Sequence, residues 1–380
     1  MRFLFTFAGG RGHFDPMAPI ARALAAAGHT VAVAAAGREV PAVERAGFPA
    51  FATSPAPEAD PGAPVRKPMP PVDPARDDWE MTELFARRGG RERAGALLEI
   101  ARDWRPDLVV RDEADFGSAI AAERLGLPRV TVLVLAAGTF PRRELLAEPW
   151  RELRAEHGLA PDPALARLDG DLVLSSFPPG FRDPGSAFLF RTGPPPVPSR
   201  AHEPPGVYFT LGTNFNLESG DLFERGITGL AQLDARVTVT VGAEIDPAVF
   251  GPQPDHVRVE RFVPQAELLP DTDLVVSHGG SGGLMGAFSH GLPSLVFPLG
   301  ADQPSNARRG AELGVTRALD PQRAGPGEIR DAAAELLGSP RDAVLELQAQ
   351  IAAMPGPEAT VAVLEGLALT SAPGSPRPAP

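Results

Sequence analysis

The chain has 380 residues, enough for two domains that each bury a core of their own. Its 43% apolar and 22% charged content is that of a globular protein, and a formal net charge of −12 speaks against nucleic acid, whose binders gather Lys and Arg on one face. Cysteine is absent, which excludes disulfides and thiolate metal sites, and no glycine-rich loop ends in the sole lysine, Lys67, which excludes a Walker-type phosphate loop.

Residues 3–8 form an apolar start too short for a secretory signal, and no run approaches the ~18 apolar residues that span a bilayer. A cytoplasmic protein with no membrane partner is expected. In chain order, residues 2–7 read as a buried strand, 17–27 as a helix closed by Gly28, and 30–35 as the next strand. The Pro- and Ala-rich stretch 53–74 reads as a loop. Residues 77–104 are mostly helical with a break at Gly89-Gly90. Strands at 108–111 and 129–135 flank a helix near 116–125, and apolar runs at 171–175 and 187–191 close this half.

Residues 192–205, TGPPPVPSRAHEPP, hold six prolines in fourteen positions and favour a stiff extended linker. It divides an N-terminal domain, 1–191, from a C-terminal domain, 206–370, whose last helix is allowed to cross back to the first domain. Beyond the linker the alternation repeats, with strands at 207–211, 237–241, 257–260, 274–277 and 294–298 and helices at 218–233, 282–290, 304–313 and 328–337. Alternating strands and helices build parallel sheets with ligands beyond their carboxyl ends. The expected class is α/β, two Rossmann-like domains whose parallel sheets face each other across a cleft. The tail 371–380 has the composition of a disordered segment.

Three features carry chemistry. AGGRGHFDP, residues 8–16, places His13 at the mouth of the first sheet, where an imidazole suits a general base; a loop histidine without a task is the alternative. As a dinucleotide fingerprint the same glycines lack a third member and a closing acid. Asp112, just past the strand in PDLVVRDEAD, is placed to orient that imidazole; a helix cap or a plain surface acid is the alternative. Third, the strand 274–277 runs into His278 and the turn GGSGG, then a helix. Backbone N–H groups of such a turn bind phosphate even on an acidic protein, and the alternative is a tight turn alone. Asp302-Gln303, after the next strand, suits sugar hydroxyls, with helix capping as the alternative. The DxD-like Asp271-Thr272-Asp273 reads as a strand entry rather than a metal site.

The order GHxxP, PDLVVxD, VYFTLGT, RFVPQxxLLPxxDLVVSHGGSG and GxPSLVFPLGADQ resembles the bacterial antibiotic glycosyltransferases of the UDP-glycosyltransferase superfamily, and spans both halves. The resemblance implies the GT-B fold and transfer of a sugar from a nucleotide diphosphate to a hydroxyl of a hydrophobic small molecule, without metal or other cofactor. It implies that His13 is the base and Asp112 its partner. Gly212 and Thr213 would lie near the donor phosphates, and Val263 and Gln265 near the nucleobase and ribose. His278, Gly280, Ser281 and Gly282 would cradle the pyrophosphate, and Asp302 and Gln303 the sugar. Phe14, Trp79, Phe85 and Phe140 stand as acceptor contacts. Gly283 replaces the Thr or Ser, and Gly286 the Glu, found in many relatives; losing that carboxylate favours a dTDP-sugar over a UDP-sugar. A nucleotide-sugar 2-epimerase, a catalytically silent homologue and a dinucleotide-dependent oxidoreductase are the rival readings. A homodimer is compatible with the sequence.

Overall fold

The computed structural model describes residues 1–57, 66–140, 142–196, 201–213 and 215–370. Parts of the expected loop and linker, 58–65 and 197–200, and the tail 371–380 lie outside the described residues.

The first sheet holds β1 (Arg2–Thr6), β2 (Thr30–Ala36), β3 (Ala50–Ser54), β4 (Leu108–Asp112), β5 (Arg129–Leu133), β6 (Leu172–Ser175) and β7 (Phe188–Leu189), in the order β3-β2-β1-β4-β5-β6-β7. The second holds β8 (Gly206–Thr210), β9 (Arg236–Thr240), β10 (Val257–Glu260), β11 (Leu274–Ser277), β12 (Ser294–Val296) and β13 (Thr316–Ala318), in the order β10-β9-β8-β11-β12-β13. Every pairing is parallel. Phe3, Leu4 and Phe5 on β1 and Leu274, Val275 and Val276 on β11 are wholly buried, as strands covered on both faces must be.

In each sheet the strand order reverses beside the first strand, between β1 and β4 and between β8 and β11. Thr6 pairs with Arg111 and Thr210 with Ser277, so the chain leaves each strand pair at one level. These two crevices are where an open α/β sheet accepts ligands.

Several elements differ from the sequence expectations. Residues 74–104 form an unbroken helical run, Pro74–Trp79, a π-helical Glu80–Arg88, and Gly89–Trp104. Gly89 and Gly90 do not break it: Gly117 of the helix Phe116–Arg124 seats against the Gly90 carbonyl, where any β-carbon on Gly117 would come within 2.5 Å. Gly90, against Leu153, and Gly117 serve close helix packing. The strand β3 and the helices Arg143–Glu156 and Asp342–Ala353 do not match the expected elements, whereas the last helix, Ala359–Thr370, is the one allowed to cross back. The helix Ala359–Thr370 packs Leu364 and Ala368 into the first lobe's core, and Glu365 Oε1 meets His29 Nε2 at 2.8 Å. No helix among the described residues is long and apolar enough to cross a membrane.

Candidate active site

His13 lies on a single helical turn, Arg11–Phe14, that follows β1 directly. Successive residues on a helix point about 100° apart. His13 therefore turns to the cleft while Phe14 turns into the core, stacked on Phe7 and edge-on to Phe48. Phe14 is 3% exposed and does not line an acceptor pocket; presenting it there would forfeit about 2 kcal/mol of burial. Gly9, at φ +117°, carries the chain past the imidazole, and a β-carbon there would lie 2.9 Å from His13 Nε2.

Asp112 is the last residue of β4 and is fully buried. Its Oδ2 receives the Ala8 N–H at 2.7 Å and lies 3.0 Å from His13 Nδ1, and its Oδ1 receives the Ala114 N–H at 2.6 Å. Neither alternative reading describes it: the helix that follows is capped by Asp115, whose carboxylate accepts the Ser118 N–H. With Nδ1 facing a carboxylate, Nε2 is the atom left to take a proton.

Burial lowers the affinity of His13 for a proton, but the Asp112 charge and hydrogen bond, aided by Asp302 and Glu113, outweigh it and raise the pKa above its ordinary 6.5. A raised folded-state value stabilises the fold below the unfolded pKa, and that contribution is lost as pH rises through the folded one. A general base acts as the neutral ring, so activity that relied on His13 would run in the opposite sense. The acid limb of kcat/KM should have its midpoint above 6.5, and a titration of kcat/KM with a midpoint below that value would contradict the assignment.

Glu113 receives the Val134 and Leu135 N–H groups and pairs with Arg182, fixing the end of β5. Phe85, half-buried on the π-helical stretch, stacks beside His13 with ring centroids 6.4 Å apart. Phe140 is half-buried between two clusters of the first lobe, and Trp79 is 55% exposed.

His278, Gly280, Ser281 and Gly212, expected on the donor side, gather at the second crevice. His278 leaves β11, and the helix Ser281–Ser289 starts after Gly280 with its first-turn N–H groups facing the crevice end. The imidazole lies flat against two glycines: a β-carbon on Gly280 would come within 2.5 Å of Nε2, and one on Gly212, at φ +73°, within 2.6 Å of Cε1. Burial pushes the His278 pKa down to about 4, so the ring is neutral, and its Nδ1 is buried without a protein partner. Thr213 is exposed.

Ser281 differs from the expectation of a hydroxyl free for phosphate. Its Oγ accepts the Ala136 N–H at 2.6 Å and donates to Asp302 Oδ2 at 2.6 Å. Gln303 also differs. It is 2% exposed and its Oε1 accepts the Leu299 N–H at 2.8 Å, so it shapes the loop instead of offering that oxygen to a sugar. Asp302 does not cap its helix with its side chain. Burial raises its pKa, against the Ser281 and Asn306 hydrogen bonds and the His13 charge. Ala301, at φ +55°, holds the loop in a conformation costly to a non-glycine residue.

Val263 is half-buried; Gln265 opens a short helix and its buried Nε2 has no protein partner. It lies 3.1 Å from where a β-carbon of Gly286 would sit, so the amide fills the space the missing side chain leaves. Gly282 and Gly283 have open space around them. Asp273 of the DxD-like sequence is bound by the Gly206 N–H, His202 and Arg341, which lower its pKa against the opposing effect of burial.

The family model for the C-terminal domain of erythromycin biosynthesis protein CIII-like proteins matches residues 224–367. The L-demethylnoviosyl transferase of Streptomyces niveus is 33% identical over 84% of this chain and 85% of its own length. The chain belongs to the bacterial antibiotic glycosyltransferases. This glycosyltransferase is also 29% identical to the TDP-daunosamine transferase DnrS of Streptomyces peucetius over 97% of both proteins. The solved spinosyn rhamnosyltransferase SpnG superposes with a TM-score of 0.80 at 25% identity, covering 96% of this chain and all of that one, and has been seen with thymidine diphosphate and with spinosyn aglycone. The fold is GT-B.

Four residues at the site escaped the sequence reading. Asn306 binds Asp302 from the next helical turn, and its i, i+4 spacing from Asp302 was the available signal. Phe215 packs beside His278 with centroids 6.1 Å apart. Asp77 accepts a backbone hydrogen bond from Ala301, and burial raises its pKa. Arg182, through Glu113, braces the strand end next to Asp112. The last three bring distant segments together, and no local pattern marks them.

Proposed function

We propose that this glycosyltransferase is inverting and metal-independent, moving a deoxysugar from a dTDP-sugar to a hydroxyl of a hydrophobic natural-product acceptor. The observation that carries the reading is the His13–Asp112 pair at one crevice, in electrostatic reach of Asp302 at the other. The acceptor O–H gives its proton to His13 Nε2 as its oxygen bonds to the anomeric carbon. The bond from that carbon to the diphosphate oxygen breaks on the opposite face, and dTDP leaves with the electron pair. Asp112 stabilises the imidazolium. One displacement inverts the configuration.

The amide end of the helix Ser281–Ser289 supplies the positive potential that the leaving diphosphate requires. Asp273 is engaged within the protein, which supports a reaction without metal. The absent carboxylate at Gly286, its space taken by the Gln265 amide, favours a ribose without a 2′-hydroxyl. The relatives point the same way: DnrS is named for a TDP-sugar and SpnG binds thymidine diphosphate and an aglycone. Exposed Trp79 and half-buried Phe85 suit an apolar acceptor on the His13 side.

Thermal unfolding with dTDP, UDP, GDP and NAD tests the donor class. A ligand at a hundredfold excess over its Kd adds about 2.7 kcal/mol to stability, so dTDP should raise Tm most and UDP less. Stabilisation by NAD alone, or by none of the four, would remove the reading. Product release should require acceptor and donor together; release without an acceptor would favour the 2-epimerase.

A further inference from the structure

The side chain of Asn306 is wholly buried on the helix Gln303–Glu312, and all of its hydrogen-bonding groups are committed to the gap between the lobes. Its Nδ2 donates to Asp302 Oδ2 at 2.7 Å, to the Gly279 carbonyl at 3.1 Å and to Ser281 Oγ at 3.3 Å. Its Oδ1 accepts the Ala137 N–H of the acceptor lobe at 2.9 Å. Next to it, the Ala136 N–H reaches Ser281 Oγ, which donates onward to the same Asp302 oxygen. Two consecutive amides beyond β5 thus meet the turn that seats the phosphate and the carboxylate beside the sugar. Glu113, neighbour of Asp112, holds the same segment through Val134 and Leu135. A continuous polar path therefore runs from the partner of the base to the donor site.

We propose that Asn306 is a positioning residue for the transfer. Its amide nitrogen holds Asp302 Oδ2, so that a sugar hydroxyl meets Oδ1, and its oxygen docks the acceptor lobe in the matching register. The anomeric carbon and His13 Nε2 are then set against each other by one side chain. This rests on the glycosyl-transfer reading above. Reacting groups misplaced by about 1 Å lose on the order of a hundredfold in rate, so a residue that touches neither substrate has a large kinetic effect.

Asn306→Asp tests it. The replacement keeps the oxygen that receives the Ala137 N–H but sets an acceptor, in place of a donor, against Asp302 and the Gly279 carbonyl. We expect kcat to fall by about 100-fold while the Kd for dTDP, read by calorimetry, moves by less than about threefold. The effects of Asp302→Ala and Asn306→Asp should not add, because one acts through the other. Asn306→Ala supplies the same comparison without new charge should the aspartate variant not fold. Near-normal kcat, additive effects, or parallel loss of dTDP binding and turnover in folded protein would overturn the proposal. A wild-type protein that neither binds dTDP nor releases it from a donor would instead remove the transfer reading, leaving the two failures distinguishable.

Discussion

Replacing His13 with alanine should lower kcat by about 10³-fold, the scale of a lost general base, with dTDP affinity nearly unchanged. The imidazole contacts Asp112 and Phe85 in the acceptor lobe, whereas the helix expected to seat the diphosphate belongs to the other. Binding and chemistry are therefore separable. Calorimetry with dTDP alongside single-turnover kinetics measures both. Turnover within tenfold of wild type would show that another group takes the acceptor proton, and lost dTDP binding would show that His13 belongs to the donor site.

Asp112→Asn should be comparably severe, about 10³- to 10⁴-fold in kcat, for a different reason. In the wild type both carboxylate oxygens are already acceptors, one for Ala8 and His13 Nδ1, the other for Ala114. An asparagine must turn its NH2 toward one of these donors. Facing His13, it converts Nδ1 into an acceptor, which places the ring proton on Nε2, the atom that has to receive one, and it sets a donor against the buried Ala8 N–H. Facing Ala114, it sets two donors against each other in a buried space, which costs about 1–3 kcal/mol of stability. Tm should fall in either orientation, kcat collapses only when the NH2 faces His13, and a variant normal in both would dismiss Asp112 as the orienting group.

The alternating strands and helices and the glycine turn after His278 were legible because they rest on local rules: buried parallel strands read as apolar runs, and glycines mark close approach. The helix Arg143–Glu156 carried a readable stripe in Leu146, Trp150 and Leu153, hidden by Pro149 within it. Gly89-Gly90 misled because glycine signals both a break and a tight helix contact, and only the position of Gly117 decides between them. Phe14 was misplaced by one step of helical rotation beside His13. The roles of Ser281 and Gln303 could not be read, since Ala136 and Leu299, which take up their polar atoms, lie far from Ser281 in sequence or behind a turn. Asn306 falls between these cases, with spacing that was visible and partners that were not.

The central claim is that a diphosphate seats on the amide end of the helix Ser281–Ser289, across the gap from His13. A crystal structure of the complex with dTDP measures this directly. The account predicts the β-phosphate within hydrogen-bond distance of first-turn N–H groups of that helix, beside Gly212 and the neutral His278 ring, with the thymine near Gln265. Phosphates bound instead at the glycines of residues 9–12 in the first lobe, or thymine remote from Gln265, would contradict it.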